Sequence, residues 1–404
     1  MSMVTERPPD TGASLGNDRI PDLKHRTHGV AAVAKASAAA VDAEARFPRE
    51  ALEEMRRQRL LGIMIPKSLG GEGTGLAEVM DTCYTLGQAC SSTALMYAMH
   101  QVKVGCITRH GAGNDTIEHI MRRIASDQLL IASSTTEGTA GGSLRSSEAA
   151  IERDGNSISL TRKATVISYG AEADGIVTTA RHSSDAAVTN QVLLVLLKGD
   201  YTLDRTQSWD TLGMRGTHSE GYLLRAKAPA GQILGDPYET IHTQTMVPYA
   251  HLLWSAVWAG IATAATANAQ AFIRHAARHA QGRMPPGAVN LARCMAELQT
   301  LRGMLSATLR RYEDAQNDER KLSSLEFQSQ ITLLKVQSSE LAVGIVLGAL
   351  RAAGLAGYRN DSEFSIGRQL RDVLSAPLMI HNDRMLANAT PATLLLPLPT
   401  SISS

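Results

Sequence analysis

The chain is poor in cysteine, poor in aromatics and has almost no net charge. Its four cysteines in 404 residues, at 83, 90, 106 and 294, form no Cys-x-x-Cys pair, so no zinc ribbon or dithiol motif can be read. A reducing cytoplasm is the expected setting. Cys83 and Cys90 fall seven apart on a helical pattern and read as small buried apolar residues rather than a redox couple. Forty basic residues balance 39 acidic ones, which excludes the one-signed field that attracts nucleic acid or an anionic membrane surface. No run reaches the roughly 20 uninterrupted apolar residues of a spanning helix, and no basic-then-apolar secretion signal opens the chain. Aromatics make up 4% of residues, too few to assign a stacked pocket. Small molecules and copies of the chain itself remain as expected partners, in a polypeptide long enough for two or three cores.

What is present divides by period. Residues 1–24 carry Pro8-Pro9, Gly12, Gly16 and Pro21 among charges and read as a flexible leader. From 25 to 125 the apolar spacing is helical: Phe47-Pro48 opens a helix buried through Leu52, Met55, Leu60 and Leu61, the run Gly70-Gly71 stops the next segment, and Glu78 to Met99 reads as one amphipathic helix. Between 126 and 240 the period changes to two. Asp154-Gly155 sits between alternating stretches as a hairpin turn, and 175–180 and 192–197 read as strands. Helical period returns over 241–392, in segments near 249–280, 288–315, 322–354 and 362–388, the pattern of a four-helix bundle, with a tail at 393–404. The expected fold is mainly α with a central β domain. His275 and His279 lie four apart, but no third ligand accompanies them, and no metal site is expected.

Five stretches in this order resemble the acyl-CoA dehydrogenase family. They are Phe47-Pro48 through Gly70-Gly71; Leu129 to Ser143 with Thr135-Thr136-Glu137; Leu212-Gly213-Met214-Arg215-Gly216-Thr217 with Ile233-Leu234-Gly235; Arg278 to Gly282; and Gly354 to Tyr358 with Arg371-Asp372. The resemblance implies a β-barrel or sandwich domain between an N-terminal helical domain and a C-terminal four-helix bundle. It also implies FAD in the seam, a homo-oligomer (dimer or tetramer), and an acyl thioester or other small substrate. Thr135, Thr136, Ser168, Asn382 and Arg384 are then expected near the cofactor, with Arg278, Gly354 and Gly357 on its pyrophosphate. Gly142, Ser143 and Trp254 are expected near the substrate. A flavin reductase or an electron-transfer flavoprotein would handle the electrons.

The chain departs from the family where the chemistry is done. The proton-abstracting Glu of the family falls near Ile380, and the alternative position used by some members falls near Leu253; neither residue can take a proton. Asp383, His381 and His251 are the remaining candidates for a base. Val166-Ile167-Ser168 replaces the family's Trp-Ile-Thr. Two chemistries follow on one scaffold: α,β-dehydrogenation of an acyl thioester with an atypical base, placed first, and a flavin-dependent monooxygenase reaction, which needs no such base. A non-catalytic flavin-binding relative is the third reading.

Overall fold

The computed structural model describes residues 22–137, 146–281, 283–398 and 400–401. Helices come first. Asp22 caps α1 (Leu23–Ala43) by accepting the Lys24 N–H at 3.2 Å, α2 (Arg49–Arg57) opens directly after Pro48, and α3 (Leu76–Ala89), α4 (Ser91–His110) and α5 (Asp115–Asp127) follow. The leader expected at 1–24 lies outside the described residues up to position 21. The single helix expected from Glu78 to Met99 is two. Cys90 takes an extended backbone (φ −149°, ψ 115°), and Ser91-Ser92-Thr93 behind it favours starting a new helix over continuing the old one. The break frees α4 to run through the interior, buried on nearly every side.

Among the described residues seven strands build the middle: β1 (Ile131–Ser134), β2 (Glu152–Asp154), β3 (Ser157–Ile167), β4 (Gly175–Arg181), β5 (Gln191–Leu197), β6 (Tyr201–Gln207) and β7 (Glu220–Pro229). They form two sheets, β1-β4-β5 with β1 parallel to β4, and the antiparallel β2-β3-β7-β6. The Asp154-Gly155 turn is where the alternation placed it, with Asp154 opposite Ser157 and Gly155 at φ +57°. Along β3 the side chains of Ile158, Leu160, Arg162 and Ala164 turn inward. Arg162, fully buried, meets the buried Glu137 at 3.2 Å and donates to the Thr179 carbonyl at 2.5 Å. Glu137 in turn accepts the backbone N–H groups of Glu148 and Ala149, so this charge pair ties the exit of β1 to β3 and β4.

The C-terminal domain contains α6 (Tyr238–Ile241), α7 (Val247–His279), α8 (Ala288–Ala315), α9 (Glu319–Leu322), α10 (Leu325–Tyr358), α11 (Gly367–Val373) and α12 (Asn382–Leu395). Ala262, Ala265 and Ala269 are fully buried on α7, where their small side chains allow close helix packing. Among the described residues, α10 alone is long and apolar enough to cross a membrane, but it is also the central helix of the bundle, packed by α7, α8, α11 and α12. The single helix expected over 362–388 is replaced by α11, a run of turns at 374–381, and α12. Pro377 cannot donate a helical hydrogen bond, and the buried ammonium of Lys335 draws the carbonyls of Ala376 (3.1 Å) and Met379 (2.5 Å) and the Asn382 Oδ1 (2.7 Å) toward α10. Those carbonyls are lost to any continuous helix.

Candidate active site

The three domains meet around one cavity of about 520 Å³. Its sheet wall is hydroxyl-rich: Ser133 on β1, Thr135 and Thr136 just beyond it, Ser168 at the end of β3, and Thr217 and Ser219 before β7. A register shift between Ala164 and Ile167 bends the end of β3 toward this wall. Ser168 Oγ lies 2.8 Å from Ser219 Oγ, which lies 2.8 Å from Thr217 Oγ1, itself 2.9 Å from the Met214 carbonyl. The Met214 carbonyl can only accept, so Thr217 donates to it, Ser219 to Thr217 and Ser168 to Ser219, which leaves Ser168 Oγ a lone pair to offer the cavity.

The helical wall is apolar. Leu95, Met99 and Val102 reach it from α4, and Met246, Val247 and Ala250 from the head of α7, where the π-helical turn His242–Met246 widens the chain. Two of its members titrate. His251 Nδ1 lies 2.8 Å from the Ile331 carbonyl, so that nitrogen carries the proton and Nε2 keeps its lone pair. Burial pushes this imidazole down to about 4, and the nearby Lys335 charge acts in the same direction. Lys103, 4% exposed, has no hydrogen bond or ion pair among the described residues, and burial lowers its ammonium to about 8. Lys103 was missed in the sequence, although it is the only charged residue between Ser91 and Ile107.

The third wall is the loop 374–380 with the motif Leu212–Thr217. Gly213 is required there, because a Cβ would sit 2.1 Å from the Arg371 carbonyl oxygen. Asp372 accepts the Met214 N–H at 2.7 Å, and Arg371 pairs with Asp42 and donates to the Leu212 carbonyl. Ile380 lines the cavity with φ +51°, and His381 follows at φ +57°. Two consecutive left-handed residues, the first β-branched, are a costly backbone.

Of the expected site residues, the fold brings Thr135, Thr136, Ser168, His251 and Trp254 to one cavity. It sets the others apart. His381 and Asp383 are exposed and do not line the cavity. Asn382 faces α10, where it donates to Ser339 Oγ at 3.0 Å and Glu340 Oε1 at 2.6 Å, and Arg384 donates to the Ile380 carbonyl at 3.2 Å. Arg278 is exposed near the end of α7. Gly354 kinks α10 with φ +56° and ψ −136°, a conformation reserved for glycine, and Gly357 lies one turn on. Gly142 and Ser143 lie outside the described residues. No Asp or Glu lines the cavity among the described residues, and the sequence from 138 to 145 contains none.

The residues present fit a flavin ring. Its carbonyls and ring nitrogens need donors and acceptors on one side, which the hydroxyl wall provides, and its hydrocarbon edge needs the apolar side. In the same cavity Trp254 Nε1 is buried without a partner among the described residues, a donor still to be satisfied.

Residues 27–126 match the acyl-CoA dehydrogenase N-terminal domain and residues 245–379 the acyl-CoA dehydrogenase C-terminal domain. The chain is 24% identical to cyclohex-1-ene-1-carbonyl-CoA dehydrogenase of Geobacter metallireducens, over 88% of this chain and 92% of that protein. In fold it is similar to the FMN-bound TdsC of Paenibacillus sp. A11-2, a dibenzothiophene monooxygenase, with TM-score 0.81, 17% identity, and coverage of 95% of this chain and 99% of that one. It is also similar to a nitrososynthase of Micromonospora carbonacea var. africana, with TM-score 0.76, 22% identity, and coverage of 93% and 96%.

Proposed function

The chain belongs to the acyl-CoA dehydrogenase family, and from that premise we propose that it is a flavin-dependent monooxygenase that oxidises a small organic substrate in the cavity between α4, α7 and the sheets. One observation carries the reading. Among the described residues the cavity holds no carboxylate, and Ile380 stands where the family's proton-abstracting Glu is expected. Oxygen transfer to a substrate needs no α-proton base. Reduced flavin, when bound, supplies two electrons to dioxygen, one atom of which enters the substrate while the other leaves as water.

The residues have definable tasks. Thr135, Thr136 and Ser168 hold the polar edge of the ring, and the chain Ser168–Ser219–Thr217, anchored on the Met214 carbonyl, turns Ser168 Oγ to the cavity as an acceptor. Met99, Val102 and Met246 exclude water from the reacting face. His251 stays neutral and offers Nε2 as an acceptor. FAD is the proposed form of the cofactor, its pyrophosphate reached by Gly354 and Gly357 and by Arg278 of a second copy. Exposed Leu355, Tyr358, Leu394 and Leu395 on α10 and α12 support self-association. A separate flavin reductase would deliver the electrons.

Dehydrogenation of an acyl thioester is the second reading, supported by the 24% identity to a dehydrogenase over 88% of the chain. It would require a proton acceptor in the cavity, and a histidine held at about 4 is a weak one. The test is direct. Purified protein, loaded with flavin, should consume oxygen with a reductase and NADH and should keep its yellow colour when hexanoyl-CoA is added under nitrogen. Anaerobic bleaching by the thioester would decide for dehydrogenation.

A further inference from the structure

Among the described residues, Lys103 is the uncompensated charge of the cavity. The other cation in its lining, Arg371, is paired with Asp42, and His251 is neutral. A lysine that is 4% exposed, set on α4 beside Met99 and Val102 with no acceptor for its ammonium among the described residues, is costly to keep. It is tolerated when the ligand brings the acceptor. The flavin edge has the hydroxyls of the sheet wall for its polar atoms, whereas Lys103 belongs to the helical wall. The charge to be matched is single: no second free cation accompanies Lys103 in the described lining, and a phosphate dianion would need more than one point charge.

We propose that Lys103 binds a carboxylate carried by the substrate, so that the cavity selects acids over their neutral analogues. This rests on the cavity being the substrate site of the proposed oxygenase. The carboxylate would anchor against α4 and hold the rest of the molecule along the apolar wall. Charge-assisted pairing in a desolvated site is the stronger kind of hydrogen bond, and it discriminates sharply against a neutral group of the same shape.

Calorimetric titration of the flavin-loaded protein with benzoate and with benzamide tests this. Benzoate should bind roughly tenfold or more tightly than benzamide. Lys103→Met should erase that preference while the flavin still binds, and Lys103→Arg should keep part of it. Equal binding of the two probes to the parent protein overturns the proposal, as does a Lys103→Met protein that keeps the preference or no longer takes up flavin. Should Lys103→Met fail to fold, the comparison on the parent protein decides by itself. A parent protein that takes no flavin sinks the oxygenase reading instead, and the same two probes titrated into it still decide the role of Lys103.

Discussion

Asp372 on α11 accepts the backbone N–H of Met214 at 2.7 Å, and both partners are buried. This bond, with the contact of Gly213 on the Arg371 backbone, joins the β domain to the C-terminal helices at the rim of the cavity. Asp372→Ala leaves a buried N–H without an acceptor and should destabilise the protein by about 2 kcal/mol. Asp372→Asn keeps an acceptor and should cost less. Urea denaturation of the two variants measures the difference.

The pH dependence of stability follows from two buried histidines. Burial holds both His100 and His251 down to about 4, and each has a backbone carbonyl partner. Between about 6.5 and 4 the unfolded chain takes up protons that the folded chain refuses. Stability is therefore fully present above about 6.5 and falls as the solution is acidified toward 4, by up to on the order of 3 kcal/mol for each ring. His251→Gln should flatten this slope, read from urea midpoints at pH 7 and pH 5.

Lys335 organises the loop after α11. Lys335→Met removes the donor from Ala376, Met379 and Asn382 at once and should cost on the order of 3 kcal/mol. Limited proteolysis should then cut within 374–381 earlier than in the parent protein.

The vacancy at position 380 gives a gain-of-function test. Ile380→Glu places a carboxylate in the cavity lining, at the position where the family resemblance leads one to expect the base. Anaerobic reduction of the bound flavin by hexanoyl-CoA should rise by about 100-fold or more over the parent rate. Stopped-flow absorbance of the flavin reports it.

Much of the architecture was legible because it is local. The changes of period at about 126 and near 241 lie close to where strands begin, at Ile131, and helices resume, at Tyr238, and Asp154-Gly155 carried its own turn geometry. The breaks in α3–α4 and α11–α12 were not legible. The apolar period continues across Cys90, and the second break depends on an ammonium on α10, some forty residues upstream. Asn382 illustrates a related limit: its nearness in sequence to the expected base points to the cavity, whereas Lys335 and Glu340 hold its side chain against α10. Lys103 shows the converse. A lone charge in an apolar helix was visible, but only the fold shows that the helix has no solvent-facing side there and that the charge meets a cavity.

Ile380 and His381, both left-handed, have a consequence for how this scaffold changes reaction. The main chain keeps an expensive bend at a place where the present side chain has no acid or base to aim. On the proposed reading, reaction type is thereby uncoupled from architecture: one side chain at 380 would separate proton abstraction from oxygen transfer, with no loop to rebuild between them.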